Sequence, residues 1–334
     1  NYYGGSKPGV YTRNTLTETK HATYGLDVQK DISLSEKSLL TVGANAKKEK
    51  YEPQIIKGDS AKSSDKKERN QFAVFAQLDQ KFTDKDNLII GGRGTWTSGS
   101  TNGEEYDDFS ASAQYVHKFN EDKSVYISVG QSFIMPSFSQ MYPSGVAAGA
   151  PNPNLKPQKG TNYELGYKEI AGNHLWKVAL FKMNVKDNIT ASWKNEVWNY
   201  KNTDFKNVGL EASLAVDASD KFSYDIGLTV HNPKNKIENE PSKKGWQRKF
   251  GKYQVKSGVE YKLDKFRAGF SGSYVWDRYS SPSSKESYKI KPYFLTTFTA
   301  AYAPDKNSEF SLIVDNVLNR NDNLSNTMSD HGAY

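Results

Sequence analysis

The sequence has no cysteine. That removes disulfide frameworks, thiolate metal sites and cysteine nucleophiles together, and leaves the redox compartment open. It also lacks any apolar run near the about 18–20 residues a membrane helix needs. The greasiest pieces are as short as Leu88-Ile89-Ile90, so helical membrane spans are excluded. The opening residues, Asn1-Tyr2-Tyr3-Gly4-Gly5-Ser6-Lys7, show neither the basic start nor the apolar core of a secretion leader. There is no G-x-S-x-G, no H-E-x-x-H and no phosphate-cradling glycine loop, so nothing supports catalysis or calls for a cofactor. The carboxylate pairs Glu104-Glu105 and Asp107-Asp108 sit in a polar stretch and read as solvation. The five histidines, His21, His117, His174, His231 and His331, include no pair at metal-ligand spacing, so no metal centre is expected.

Aromatic residues, by contrast, make up 13% of the 334 residues, with 21 Tyr and 16 Phe. A mean hydropathy of -0.77 would suit a partly disordered chain, but disordered segments are poor in rings. Period-two alternation explains both facts. In 222–231, Phe222, Tyr224, Ile226, Leu228 and Val230 point one way and Ser223, Asp225, Gly227, Thr229 and His231 the other. Similar alternation recurs in about fourteen segments; only around 175–185 is its phase mixed.

The connections alternate short and long. Tight ones fall at 33–37, 83–86, 121–123, 171–173, 218–220, 264–265 and 304–307; long ones fall at about 51–69, 98–107, 133–160, 187–204, 232–250, 277–289 and from 316 onward. A soluble sandwich has no reason for this regularity, whereas an outer-membrane barrel has short periplasmic turns and long extracellular loops. Each segment is near the about 9–11 residues that cross a bilayer at a tilt. Aromatics cluster at segment ends, as with Phe72 and Phe82, Phe109 and Phe119, and Phe266 and Trp276, matching interfacial girdles. With short turns inside, the chain starts and ends on the extracellular side, whereas a complete bacterial barrel starts and ends inside. The expectation is a partial all-β, antiparallel transmembrane β-barrel over residues 1–334.

Motifs from 133 to 319 carry a resemblance. Phe133-Ile134-Met135-Pro136 is followed by Asn152-Pro153-Asn154-Leu155-Lys156-Pro157, and then by Asn162-Tyr163-Glu164-Leu165-Gly166. Further on come Gly209-Leu210-Glu211 and Val314-Asp315-Asn316-Val317-Leu318. In this order they resemble the TonB-dependent outer-membrane receptors, whose pattern runs F-R-x-P, N-P-x-L-K-P-E, N-Y-E-L-G, G-x-E and V-x-N-L-F. Ile134 and Gln158 stand where that pattern often has Arg and Glu. The resemblance implies about 14 of about 22 barrel strands, with the plug domain, the TonB-contact segment and the closing strand missing. It implies a Gram-negative outer-membrane location and uptake of a ferric siderophore or similar metal chelate, energised by TonB through the missing plug region. A haem or cobalamin receptor of the same family, or a passive porin, is the alternative. No histidine lies between Pro136 and Asn152, where haem receptors of the family often carry one.

Direct ligand contact has several candidates. Phe138, Met141 and Tyr142 lie in the proline-rich 133–160 segment, which reads more simply as a rigid loop-to-strand junction. Trp193, Trp198 and Tyr200 share an outer hairpin flanked by Lys194 and Lys201, suited to an anionic chelate or to hairpin stability alone. His231 ends a polar row. Two lysine-rich connections, one with Lys57, Lys62, Lys66, Lys67 and Arg69, the other with Lys234, Lys236, Lys243, Lys244, Arg248 and Lys249, are read as steering anionic chelates, binding lipopolysaccharide phosphates, or simply solvated beside Asp59, Asp65, Glu68, Glu238 and Glu240. Outer-membrane lipid is thus an expected partner. Nucleic acid is not, since no binding fold frames the lysines.

Overall fold

The computed structural model describes residues 2–7, 10–57, 60–63, 66–99, 105–143, 149–194, 197–237, 245–280 and 288–322. Fourteen long strands run antiparallel, each paired with the next. They are β1 (Val10–Ser35), β2 (Ser38–Lys57), β3 (Lys67–Lys81), β4 (Asp86–Ser98), β5 (Asp108–Lys118), β6 (Lys123–Ile134), β7 (Gln158–Ala171), β8 (His174–Lys194), β9 (Val197–Asp217), β10 (Phe222–His231), β11 (Tyr253–Leu263), β12 (Phe266–Trp276), β13 (Tyr293–Asp305) and β14 (Ser308–Asp315). Four short pieces, Tyr2–Lys7, Ser60–Ser63, Lys234–Ile237 and Gly245–Arg248, complete an 18-stranded sheet. Arg278–Ser280 and Tyr288–Ile290 form a separate ladder. Among the described residues β1 and β14 do not pair with each other, so the sheet is open.

One end of the sheet has tight turns. Gly172 (φ 60) and Asp264 (φ 50) take the left-handed backbone that two-residue hairpin turns require. At the other end the hairpins run on. β1 is 26 residues long, and β8 and β9 stay paired out to Lys194↔Val197, with one bulge at Asp187 (φ 55). The expected loop over 187–204 is therefore a ladder, and several strands far exceed a bilayer crossing. Backbone groups need partners in water as well as in lipid, and continued pairing supplies them.

Register defines the two faces. Leu88, Tyr115, Ile127, Leu165, Leu180, Leu210, Val230, Tyr253 and Trp276 stand opposite one another across nine strands. This rung starts beside a tight turn on β4 and ends at the outer tip of β12. An oblique climb of this kind is what strands tilted by about 35–45° produce. One residue over, Ser128, Glu164, Phe181, Gly209 and His231 line up on the opposite face. The same registers resolve the mixed phase near 175–185: Phe181 and Met183 lie on the polar face, while Lys182 stands on the outward face between Tyr163 and Val208.

The outward rows are bare, with Leu180 52% and Ile127 58% exposed. An apolar face this continuous is foreign to a soluble monomer and suits a lipid solvent. Leu180→Arg, near the middle of that face, is expected to cost about 2–4 kcal/mol, whereas Thr229→Arg on the inward face costs under about 1 kcal/mol. Urea unfolding in lipid vesicles measures both.

Candidate functional site

The described parts of the 133–160 segment, 133–143 and 149–160, fold into a compact junction. Ser137 caps α1 (Phe138–Met141) with a capping box: its hydroxyl accepts from the Gln140 amide while the Gln140 side chain accepts from the Ser137 amide. Phe138, Met141 and Leu155 are buried with Tyr51 of β2, and Tyr142, Ile189 and Tyr200 pack against them. The Tyr51 and Phe138 rings are stacked with centroids 6.0 Å apart. β2 and β7 are five strand spacings apart, roughly 24 Å along the wall at the usual strand separation. Contact over 6 Å therefore requires the sheet to curve and the junction to cross its concave side.

Polar contacts fix this crossing. Arg69 of β3, 5% exposed, donates from Nε to Glu49 (2.6 Å) and from Nη1 to the Pro136 carbonyl (2.8 Å), with its guanidinium 4.8 Å from the Phe138 ring centroid. Lys67 lies 4.7 Å from the Tyr142 ring centroid, and the Tyr51 hydroxyl donates to the Tyr142 carbonyl (3.2 Å). From the connection between β4 and β5, the Tyr106 hydroxyl donates to the Leu155 carbonyl (3.0 Å). Asn152 donates from its side chain to the Tyr200 carbonyl (3.1 Å), and Asn202 grips both the amide and the carbonyl of Lys156 (2.8 Å each).

Below the junction, the inward face forms a concavity of about 850 Å³ lined by Tyr126, Glu164, Phe181, Glu211, His231 and Lys256 among others. Gly166 and Gly209 explain themselves here. A Cβ on Gly166 would strike the Tyr126 ring at 2.2 Å, and one on Gly209 the Phe181 ring at 2.6 Å. Each glycine leaves bare backbone over which a ring from the neighbouring strand lies flat. The Tyr126 hydroxyl donates to Glu164, and the Asn207 side chain meets His231 Nδ1 at 3.0 Å.

Comparison with known proteins bears on this architecture. A family described as "TonB dependent receptor-like, beta-barrel" matches residues 1–317. The chain belongs to this family. Among solved structures, the copper transporter OprC is similar with a TM-score of 0.75 at 16% identity, over 92% of this chain and 52% of that one. The FrpB iron transporter from Neisseria meningitidis gives 0.67 at 16% identity, over 90% and 51%. The siderophore receptor PirA from Pseudomonas aeruginosa gives 0.65 at 16% identity, over 91% and 52%. The chain spans about half the length of these structures. At such identities the likeness concerns fold: an all-β, antiparallel TonB-dependent receptor barrel, unclosed over this stretch. The family consists of transport receptors of the Gram-negative outer membrane.

Within this receptor barrel the sequence candidates fall into groups. Phe138 and Met141 are interior residues of the junction, together with Pro136 and Leu155. Asn152, Pro153, Asn154 and Pro157 form its return path, and Phe133 marks its start. Glu164, Glu211 and His231 line the inward concavity, Gly166 and Gly209 lie on the same face beneath the Tyr126 and Phe181 rings, and Tyr163 faces outward. Tyr200 supports the junction and Trp198 is 42% exposed on the same hairpin. Asn316 (φ 53) lies apart and closes the turn after β14 by bonding both backbone groups of Arg320 (2.9 Å each). The side chains of Trp193, Lys57, Lys62 and Lys194, and residues Asp59, Asp65, Glu104, Glu238, Glu240, Lys243, Lys244 and His331, lie outside the described residues.

Arg69 and Lys67 correct the solvated-loop reading: both are buried inward-facing strand residues that clamp the junction. Tyr51 and Tyr106, its other anchors, drew no notice in the sequence because alternation gives a residue's face but not its distant partner. Burial alone would raise the Glu49 carboxyl; Lys47 and Arg69 outweigh it and hold the group below the ordinary 4.5. Glu68, clasped first by Lys66 and then by Lys48, is held down to about 2.

Two outcomes are expected. Arg69→Leu leaves the Pro136 carbonyl and Glu49 short of a donor and costs about 1–3 kcal/mol, read as lost protection of the Met141, Tyr142, Asn152 and Leu155 amides. Because Glu49 has a folded pKa below its unfolded one, its stabilisation is complete above about 4.5 and is lost as pH falls through the folded value. Hydrogen exchange corrected for intrinsic rates should show the junction loosening only below that pH, and Glu49→Gln should abolish this dependence.

Proposed function

We propose that this chain supplies part of the wall and entrance of an outer-membrane receptor that binds a ferric siderophore or a similar metal chelate for uptake. The observation that carries the reading is the pairing of an aromatic- and carboxylate-lined inward concavity with a pinned junction above it. A segment strapped across the concave side narrows the lumen at its outer end and sets aromatic rings where a chelate would enter. The neighbouring structures named for copper, iron and siderophore transport support a chelated metal as cargo.

Cargo would first meet the outer aromatics Tyr142, Trp198 and Tyr200 beside Lys67 and Lys201, where rings stack on a chelate and ammonium groups attract its negative charge. His231 and the concavity would face it next. Energy relayed by TonB would act on a plug segment inside the barrel, and the wall described here would remain fixed while that segment moved.

Growth under iron limitation tests this. Cells dependent on the full-length receptor should grow on one or more ferric siderophores, and Trp198→Ala should weaken binding by roughly 1–2 kcal/mol, the worth of a stacked ring. Rescue by haem alone in that assay, or no siderophore response together with rescue of cobalamin-requiring cells by cobalamin in a separate one, would overturn the siderophore assignment and leave the barrel intact.

A further inference from the structure

Strand parity decides what the lysines around β9 and β10 face. On the outward side of β9, Val208 is 54% exposed and stands opposite Lys182 of β8. The next outward rung runs from Asn184 to Lys206, from Lys206 to Lys234, and from Lys234 to Arg248, each directly opposite the next. Lys182 is the diagonal neighbour of Lys206. At the same level on the inward side, Phe205 faces Asn235 and Asn235 faces Gln247, with no charge among them. The cations therefore point away from the path a cargo would take.

Like charges directly across a sheet are destabilising, so a row of three cations is unfavourable on its own. Arg248 is balanced by Asp277 (2.8 Å). Among the described residues no carboxylate pairs with Lys182, Lys206 or Lys234. Lys206 instead lies 3.9 Å from the Trp246 ring centroid, which holds its ammonium on the outward face. Directly below, the wall turns apolar through Val208, Leu210 and Leu180. Long lysine stems lie along such a surface and lift their charges to its edge.

The geometry points to a lipid-phosphate site on the outside of the barrel: Lys182, Lys206 and Lys234 hold phosphate groups of outer-leaflet lipopolysaccharide while its acyl chains run down the apolar rows beneath. The site rests on the outer-membrane placement of the barrel and is independent of which chelate is carried. It takes Lys234 out of cargo steering.

Native mass spectrometry of the delipidated full-length receptor tests it, with bis-phosphorylated lipid A, the same lipid dephosphorylated, and inorganic phosphate as probes. The phosphorylated lipid should be retained, and Lys206→Gln with Lys234→Gln should reduce its retention roughly thirty-fold, about the worth of two cations at an anionic membrane surface. Lys206→Arg with Lys234→Arg should restore it, and ferric-chelate binding should stay unchanged throughout. Heat-modifiable mobility on gels shows separately that each variant is a folded barrel. Equal retention by the glutamine variant, equal binding of the dephosphorylated lipid, displacement by inorganic phosphate at equal concentration, or loss of chelate binding in its place would each overturn the site.

Discussion

In a wall that meets lipid, each backbone amide and carbonyl has to find its partner on a neighbouring strand, because hydrocarbon offers none. That requirement sets most of what is seen here. Unbroken antiparallel pairing from β1 to β14 satisfies the backbone, and strict alternation then sends one row of side chains outward and the next inward. The low mean hydropathy follows directly. Half of each strand faces the lumen, and the outer hairpins extend beyond the apolar band into water.

The same requirement constrains the functional apparatus. Side chains that would form a core in a soluble protein face lipid here, and the buried cluster sits at the outer rim instead: Tyr51, Phe138, Met141 and Leu155. A single-turn helix and a proline-rich return have little internal pairing, so their stability comes from Arg69, Tyr106 and Asn202, each on a different part of the wall. The junction thus reports on the curvature of the sheet. If β2 and β7 moved apart, the contacts at Pro136 and Phe138 would open first.

Strand number, turn placement and side-chain faces were legible in the sequence because they are local, period-two properties. Phe222 to Val230 announce their faces without help from the rest of the chain. Hairpin length was not legible: nothing in 187–204 separates a loop from a ladder until Asn188 is seen opposite Thr203. At the candidate site the motif residues were visible, but their anchors were not. Arg69 looked like one more loop cation, since its burial depends on a carbonyl 67 positions away. The glycines at 166 and 209 were legible as motif letters and not as gaps under rings, because the ring in each case belongs to another strand.

The oblique rungs bear on how such a wall is assembled. A slip of one residue between two strands would send Glu164 or His231 into the bilayer, a mistake the solvent itself rejects. Sliding by two is more insidious, for it leaves oily and wet sides correct and only shifts where a rung emerges, so that the perimeter would spiral past its own seam. The hydrophobic effect is blind to that error. Guarding against it falls to the two-residue hinges at Gly172-Asn173 and Asp264-Lys265, whose left-handed residues dictate which neighbours meet. Four turn residues on the dull side of the molecule thereby keep the circumference true.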